Sequence, residues 1–113
     1  MRFMMMTSGD ESSAQTPPDP QMMAEMGAFI EEMSKAGVLL ATGGLEPGGT
    51  YVQATGGKME VLDGPYAEAK EVVVGFALIE VSSREEAIEL SRRFWAIVGE
   101  GKGVIQQVFG PED

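Results

Sequence analysis

The 113-residue chain carries 18 acidic against 8 basic side chains, a formal charge of −10, with no cysteine and no histidine. That charge has the wrong sign for a nucleic-acid backbone or an anionic membrane surface. The missing cysteine excludes disulfides and thiolate chemistry, and the missing histidine removes the usual neutral-pH base and metal ligand.

Length suggests a single domain over residues 1–113, and 43% apolar residues are enough for one modest core. Such a chain has little material to spare for a deep cavity, so a pocket of useful size is expected between two subunits. MRFMMMT is too short for a secretory or membrane-spanning segment before the polar SGDESS, and the expected location is the cytoplasm.

Residues 2–7 read as a first strand with apolar residues on both faces, Phe3 and Met5 on one and Met4 and Met6 on the other. SGDESSAQTPPDP is a loop by its small polar residues and prolines. Asp19 and Pro20 form an N-cap with proline at the first helical position. The helix then runs to about Ala36, with Met22, Met26, Phe29, Ile30 and Met33 as its apolar stripe. A short strand follows at 38–42, then the connector GGLEPGG.

Residues 51–55 and 58–62 flank Gly56 and Gly57, a two-residue hairpin signal. Each strand alternates apolar and polar residues, so the hairpin is expected at a sheet edge or arching over a neighbour. Asp63, Gly64 and Pro65 make a turn. Residues 72–81 form the longest and most apolar strand, with Gly75 marking a bulge or a close approach. Ser82 and Ser83 stand before Glu85 and Glu86 at capping-box spacing. The second helix spans 84–98, with Ala87, Leu90, Ser91, Phe94 and Val98 on one stripe and Trp95 as a packing anchor. Gly99 ends it, and residues 104–109 form the last strand.

The order β-α-β, hairpin, β-α-β predicts an α+β, ferredoxin-like two-layer sandwich with an antiparallel sheet. Its helices hide one sheet face. The other also carries apolar residues, a patch that a second subunit covers most economically. Two sheets face to face make a dimeric alpha-beta barrel.

MRFMMM, GVLLATGGLEP, the run GKMEVLDGPYAEAKEVVVGFALIEV and the helix SSREEAIELSRRF together resemble the DGPF-domain family. That family is related to the YCII-like proteins of the dimeric alpha-beta barrel superfamily. Tyr66 stands where the family motif has phenylalanine, which keeps the ring and adds a hydroxyl. Some YCII-like relatives are thought to use a His–Asp pair; without histidine this chain cannot inherit it.

The motif maps to Asp63, Gly64, Pro65 and Tyr66, with Glu68, Lys70 and Glu71 behind. Asp63 serves as a turn cap or as a carboxylate at a dimer cleft. Asp63 and Tyr66 are the acid–base candidates, and Arg2 and Lys70 the candidates for holding an anionic ligand. No cofactor or metal site is expected: the acids have no ligand spacing, and Lys70 sits among them. Neither ATGGLEPGG nor GEGKG has the pattern and context of a phosphate-binding loop. Three functions compete. The first is a small homodimer binding a small organic ligand near the inter-sheet cleft. The second is an acid–base enzyme of the isomerase, decarboxylase or monooxygenase kind, and the third a regulatory partner-binding module.

Overall fold

The computed structural model describes residues 1–9, 19–46, 48–64 and 72–111. Its elements are β1 (Arg2–Gly9), α1 (Pro20–Lys35), β2 (Leu39–Gly44), β3 (Tyr51–Thr55), β4 (Lys58–Leu62), β5 (Val72–Glu80), α2 (Arg84–Val98) and β6 (Lys102–Val108). Four strands form one sheet in the order β2-β5-β1-β6. Every neighbouring pair in it is antiparallel. This is the ferredoxin-like order expected from the alternation of strands and helices.

Helix boundaries follow local chemistry. The Asp19 carboxylate accepts the Met22 N–H at 2.8 Å, and Pro20 occupies the first helical position. At the start of α2 the Ser83 hydroxyl accepts the Glu86 N–H at 3.2 Å. Glu86 in turn accepts from the Ser82 N–H at 2.9 Å and the Ser82 hydroxyl at 2.6 Å. These bonds, the side-chain one first, hold the Glu86 carboxyl below its ordinary range. A carboxyl depressed in the folded state stabilises fully above the unfolded carboxylate range, about pH 4.3, and this stabilisation fades as pH falls through the folded value. Glu86→Gln should therefore lower the melting temperature near neutrality, with the difference from the parent chain narrowing in acid. A difference unchanged between neutral pH and acid would contradict the ionised cap.

Strand pairing fixes what faces what. Phe3 pairs with Ile79, Met5 with Ala77 and Thr7 with Gly75. Phe3 and Ile79 pack with Val81 and with Ala87 of α2, so this parity of the sheet faces the helices. Among the described residues the buried apolar set is Phe3, Met33, Ile79, Val81 and Ala87. The helices are tied together by Arg93, whose guanidinium donates to both Glu32 carboxylate oxygens at 2.9 and 3.0 Å. The same guanidinium lies 4.9 Å from the centre of the Phe29 ring. Its hydrogen bonds hold the Glu32 carboxyl below the usual range.

The opposite parity gives the second face. Met4 pairs with Leu78 and Met6 with Phe76. On the other side Met6 pairs with Val104. Met4, Met6, Phe76 and Leu78 are only partly buried and Val104 is exposed. The polar side chains of Arg2 and Glu80 flank this apolar centre at one end, and Ser8 and Lys102 at the other.

Strand bounds shift in three places, and β2 is the first: it runs through Gly43 and Gly44, expected in the connector, because they pair with Phe76 and Gly75. β1 continues through Ser8 and Gly9, which the sequence reading placed in the following loop, because both pair with β5. β6 starts at Lys102, where Ser8 offers it a partner. The β3–β4 hairpin turns at Gly56 and Gly57, whose φ values of 61° and 84° suit a tight two-residue turn. Of the two expected positions the main-sheet edge is excluded, since the hairpin is a separate two-stranded sheet. Val52 pairs with Val61 and Ala54 with Met59, so one hairpin face is apolar. Met59 and Val61 on it are each 65% exposed.

Candidate functional site

Side-chain size falls along the helix-facing side of the sheet. At one end the cross-strand row holds Leu39, Ile79 and Phe3. The next row holds Thr42, Ala77, Met5 and Ile105, and the last Gly44, Gly75, Thr7 and Gly103. Large residues meet the helices at the Phe3 end and make the core. Three glycines and a threonine leave a low floor at the other end.

The sheet has little room to fill that floor. A Cβ on Gly75 would stand 2.8 Å from the Thr7 hydroxyl oxygen, and one on Gly103 would overlap the Met6 carbonyl. Close backbone approach thus keeps both positions without side chains. The register shift between Thr7 and Ser8, beside Gly75, adds a bulge there.

The result is a cavity of about 890 Å³ between the helices and the sheet. Met22, Met26 and Ile30 of α1 and Phe94, Trp95 and Val98 of α2 line it above the glycine floor. This explains why the stripe of α1 is only half-buried except at Met33. The size falls within the range of small-molecule pockets, roughly 300–1,000 Å³. The sequence favours a useful pocket between two subunits; this half-open one lies within a single chain, on its helix side.

The wall is overwhelmingly apolar, and its methionines give it an adaptable surface. Trp95 is the chain's single tryptophan. Its ring packs edge-on to Phe94 at 5.0 Å and closes over the backbone of Gly101. Arg84 supplies the lining's charge, at the first turn of α2, with its guanidinium carbon 5.2 Å from the centre of the Phe3 ring.

The residues singled out from sequence lie elsewhere or beyond description. Asp63 is exposed in the turn after β4, where the Gly64 N–H donates to the Leu62 carbonyl at 3.2 Å. Tyr66 and Lys70, with Glu68 and Glu71, lie outside the described residues. Arg2 stands at the rim of the uncovered sheet face, its Nε 3.9 Å from Glu80. The separate hairpin carrying Asp63 makes little contact with β1, so Arg2 and Asp63 are not brought together. Among the described residues no group of three or more acids converges on a point that could hold a metal. No described helix is long and apolar enough to cross a membrane.

Sequence reasoning missed Thr7, Gly75, Gly103 and Arg84 as a set. The signal for the floor was present only in part: Gly75 was marked, but its alignment with Gly44 and Gly103 requires the strand register.

The family model of the YCII-related domain matches residues 1–97. An uncharacterized protein of Rhizobium meliloti (strain 1021) is 33% identical over 76 residues, 66% of this chain. The chain spans 61% of that relative's length.

Proposed function

We propose that this chain, which belongs to the YCII-related domain family, is a homodimeric protein that binds small apolar organic molecules between its helices and its sheet. The observation that carries the reading is the cavity of about 890 Å³ above the glycine floor. Its apolar walls offer dispersion contacts that an apolar ligand takes up. The cavity takes the place of the inter-sheet cleft as the ligand site.

The dimer rests on the second sheet face. Met4, Met6, Phe76, Leu78 and Val104 form an apolar centre between polar ends, the arrangement of a protein interface. A second copy sheet-to-sheet buries this face without closing the helix-side cavity. The acid–base alternative with Asp63 and Tyr66 gains nothing from the exposed turn, and the regulatory alternative has no partner-specific feature.

Trp95 reports on the cavity directly. Titration with decanol, a neutral apolar probe, should change its emission saturably, at one site per chain. Ala77→Phe, which projects a ring from the floor into the same space, should abolish the response while the protein stays folded. An emission unmoved by decanol, or a response intact in the Phe variant, would remove the ligand from this cavity.

A further inference from the structure

We infer that the ligand of this cavity is an elongated apolar carboxylic acid, its carboxylate held by Arg84 and its hydrocarbon body running toward the glycine floor. This rests on the cavity being a ligand site. Charge and length, beyond cavity size, select the ligand class.

Charge comes first. Arg84 makes no ion pair among the described residues, although the chain holds 18 acids against 8 cations. Arg2, Lys35, Arg92 and Arg93 each stand within ion-pairing distance of a glutamate. Among the described residues Lys58 and Arg84 do so with none; only Arg84 lines the cavity, and it stays unpaired even though Glu85 and Glu86 follow it in sequence. Glu86 is instead turned back onto Ser82. A cation in the first turn of a helix also opposes the helix dipole, which favours acids there. Glu85 and Glu86 complement the dipole in the same turn, so Arg84 is not needed by the helix, and its solvated charge is available to an anion at the cavity wall.

Placement comes second. Arg84 lies at the cavity wall with its guanidinium carbon 5.2 Å from the centre of the Phe3 ring. A cation–π contact uses none of the guanidinium N–H groups, leaving them for a bidentate carboxylate. Because Arg84 is exposed, the carboxylate stays near water while the body is buried.

Length comes third. From Arg84 to Trp95, α2 advances about 16 Å at 1.5 Å per residue. Both ends of that segment line the same cavity. The space is therefore long, apolar along its run, and charged at one end. A compact polar metabolite would leave most of it unfilled. A straight-chain or flat-ring acid matches both the length and the single cation.

The test compares decanoate with decanol on the full-length protein near neutral pH, read by Trp95 emission. Decanoate should bind about tenfold more tightly, the effect of one charge-assisted contact at a partly exposed site. Arg84→Gln should erase that preference by weakening decanoate alone, with decanol affinity unchanged. Arg84→Lys should retain part of it, and Lys35→Gln, which removes a charge elsewhere, should retain all of it. Equal affinity of the parent protein for acid and alcohol overturns the carboxylate assignment and leaves the cavity reading standing. A preference that survives in Arg84→Gln overturns the role of Arg84. Binding of neither probe overturns the cavity reading and this inference with it.

Discussion

Phe3→Ala is expected to cost about 3–5 kcal/mol of folding stability, the range for losing a large buried aromatic. Phe3 is fully buried where β1 meets Ile79 of β5 and Ala87 of α2. Its ring also carries the Arg84 guanidinium. Truncation loses the transfer free energy of the ring and leaves a hole that neighbours on two strands and a helix cannot all move to fill. Few residues share the burden: the buried set among the described residues is small, and the glycine end contributes little packing. Against a typical total of 5–15 kcal/mol, the loss takes a large share. Urea unfolding should show a lower midpoint at an unchanged slope. A shift under about 1 kcal/mol would mean that the core has been placed at the wrong end of the sheet.

The second large effect is on assembly. Leu78→Asp puts a carboxylate at the centre of the uncovered sheet face, beside Met4 and across from Ala41. In a lone subunit that face meets water, and the charge is tolerated. In a sheet-to-sheet dimer it is buried without a partner, which costs several kcal/mol. Two-fold symmetry places two such charges in one interface. The dissociation constant should rise at least about a thousandfold, at 1.4 kcal/mol per factor of ten. Sedimentation of the variant should therefore give monomers where the parent gives dimers. A variant that dimerises as tightly as the parent would show that this face is not the interface.

Local chemistry made much of the fold legible. Ser83 and Glu86 placed the start of α2, Asp19 and Pro20 that of α1, and Gly56 with Gly57 the hairpin turn. The apolar residues on both faces of β1 mark it as a central strand, and it lies between β5 and β6. What failed was whatever depended on pairing. Ser8 and Gly9 look like a loop in isolation and become strand because Val73 and Val72 stand opposite them. The hairpin's alternation announces one wet face but says nothing of whether it joins the main sheet.

The site was harder to read for the same reason. Gly44, Gly75 and Gly103 are scattered over some sixty positions and become one floor only when β2, β5, β1 and β6 are set side by side. The stripe of α1 announced a face turned inward, of which only Met33 is buried; Met22 and Met26 line the cavity. Arg84 lies within the segment SSREEAIELSRRF, where nothing in the sequence marks it as a ligand contact. Its significance appears once the glutamates around it are assigned to other partners. The eye-catching DGPYAEAKE drew attention to Asp63, which sits on an exposed turn, and to residues beyond those described.

If the apolar sheet face opposite the helices is a dimer interface, the chain pairs in solution. Sedimentation equilibrium of the unmodified protein across micromolar concentrations tests this most directly. A particle of twice the 12.1 kDa chain mass is the predicted result. A single 12.1 kDa species throughout that range would contradict it.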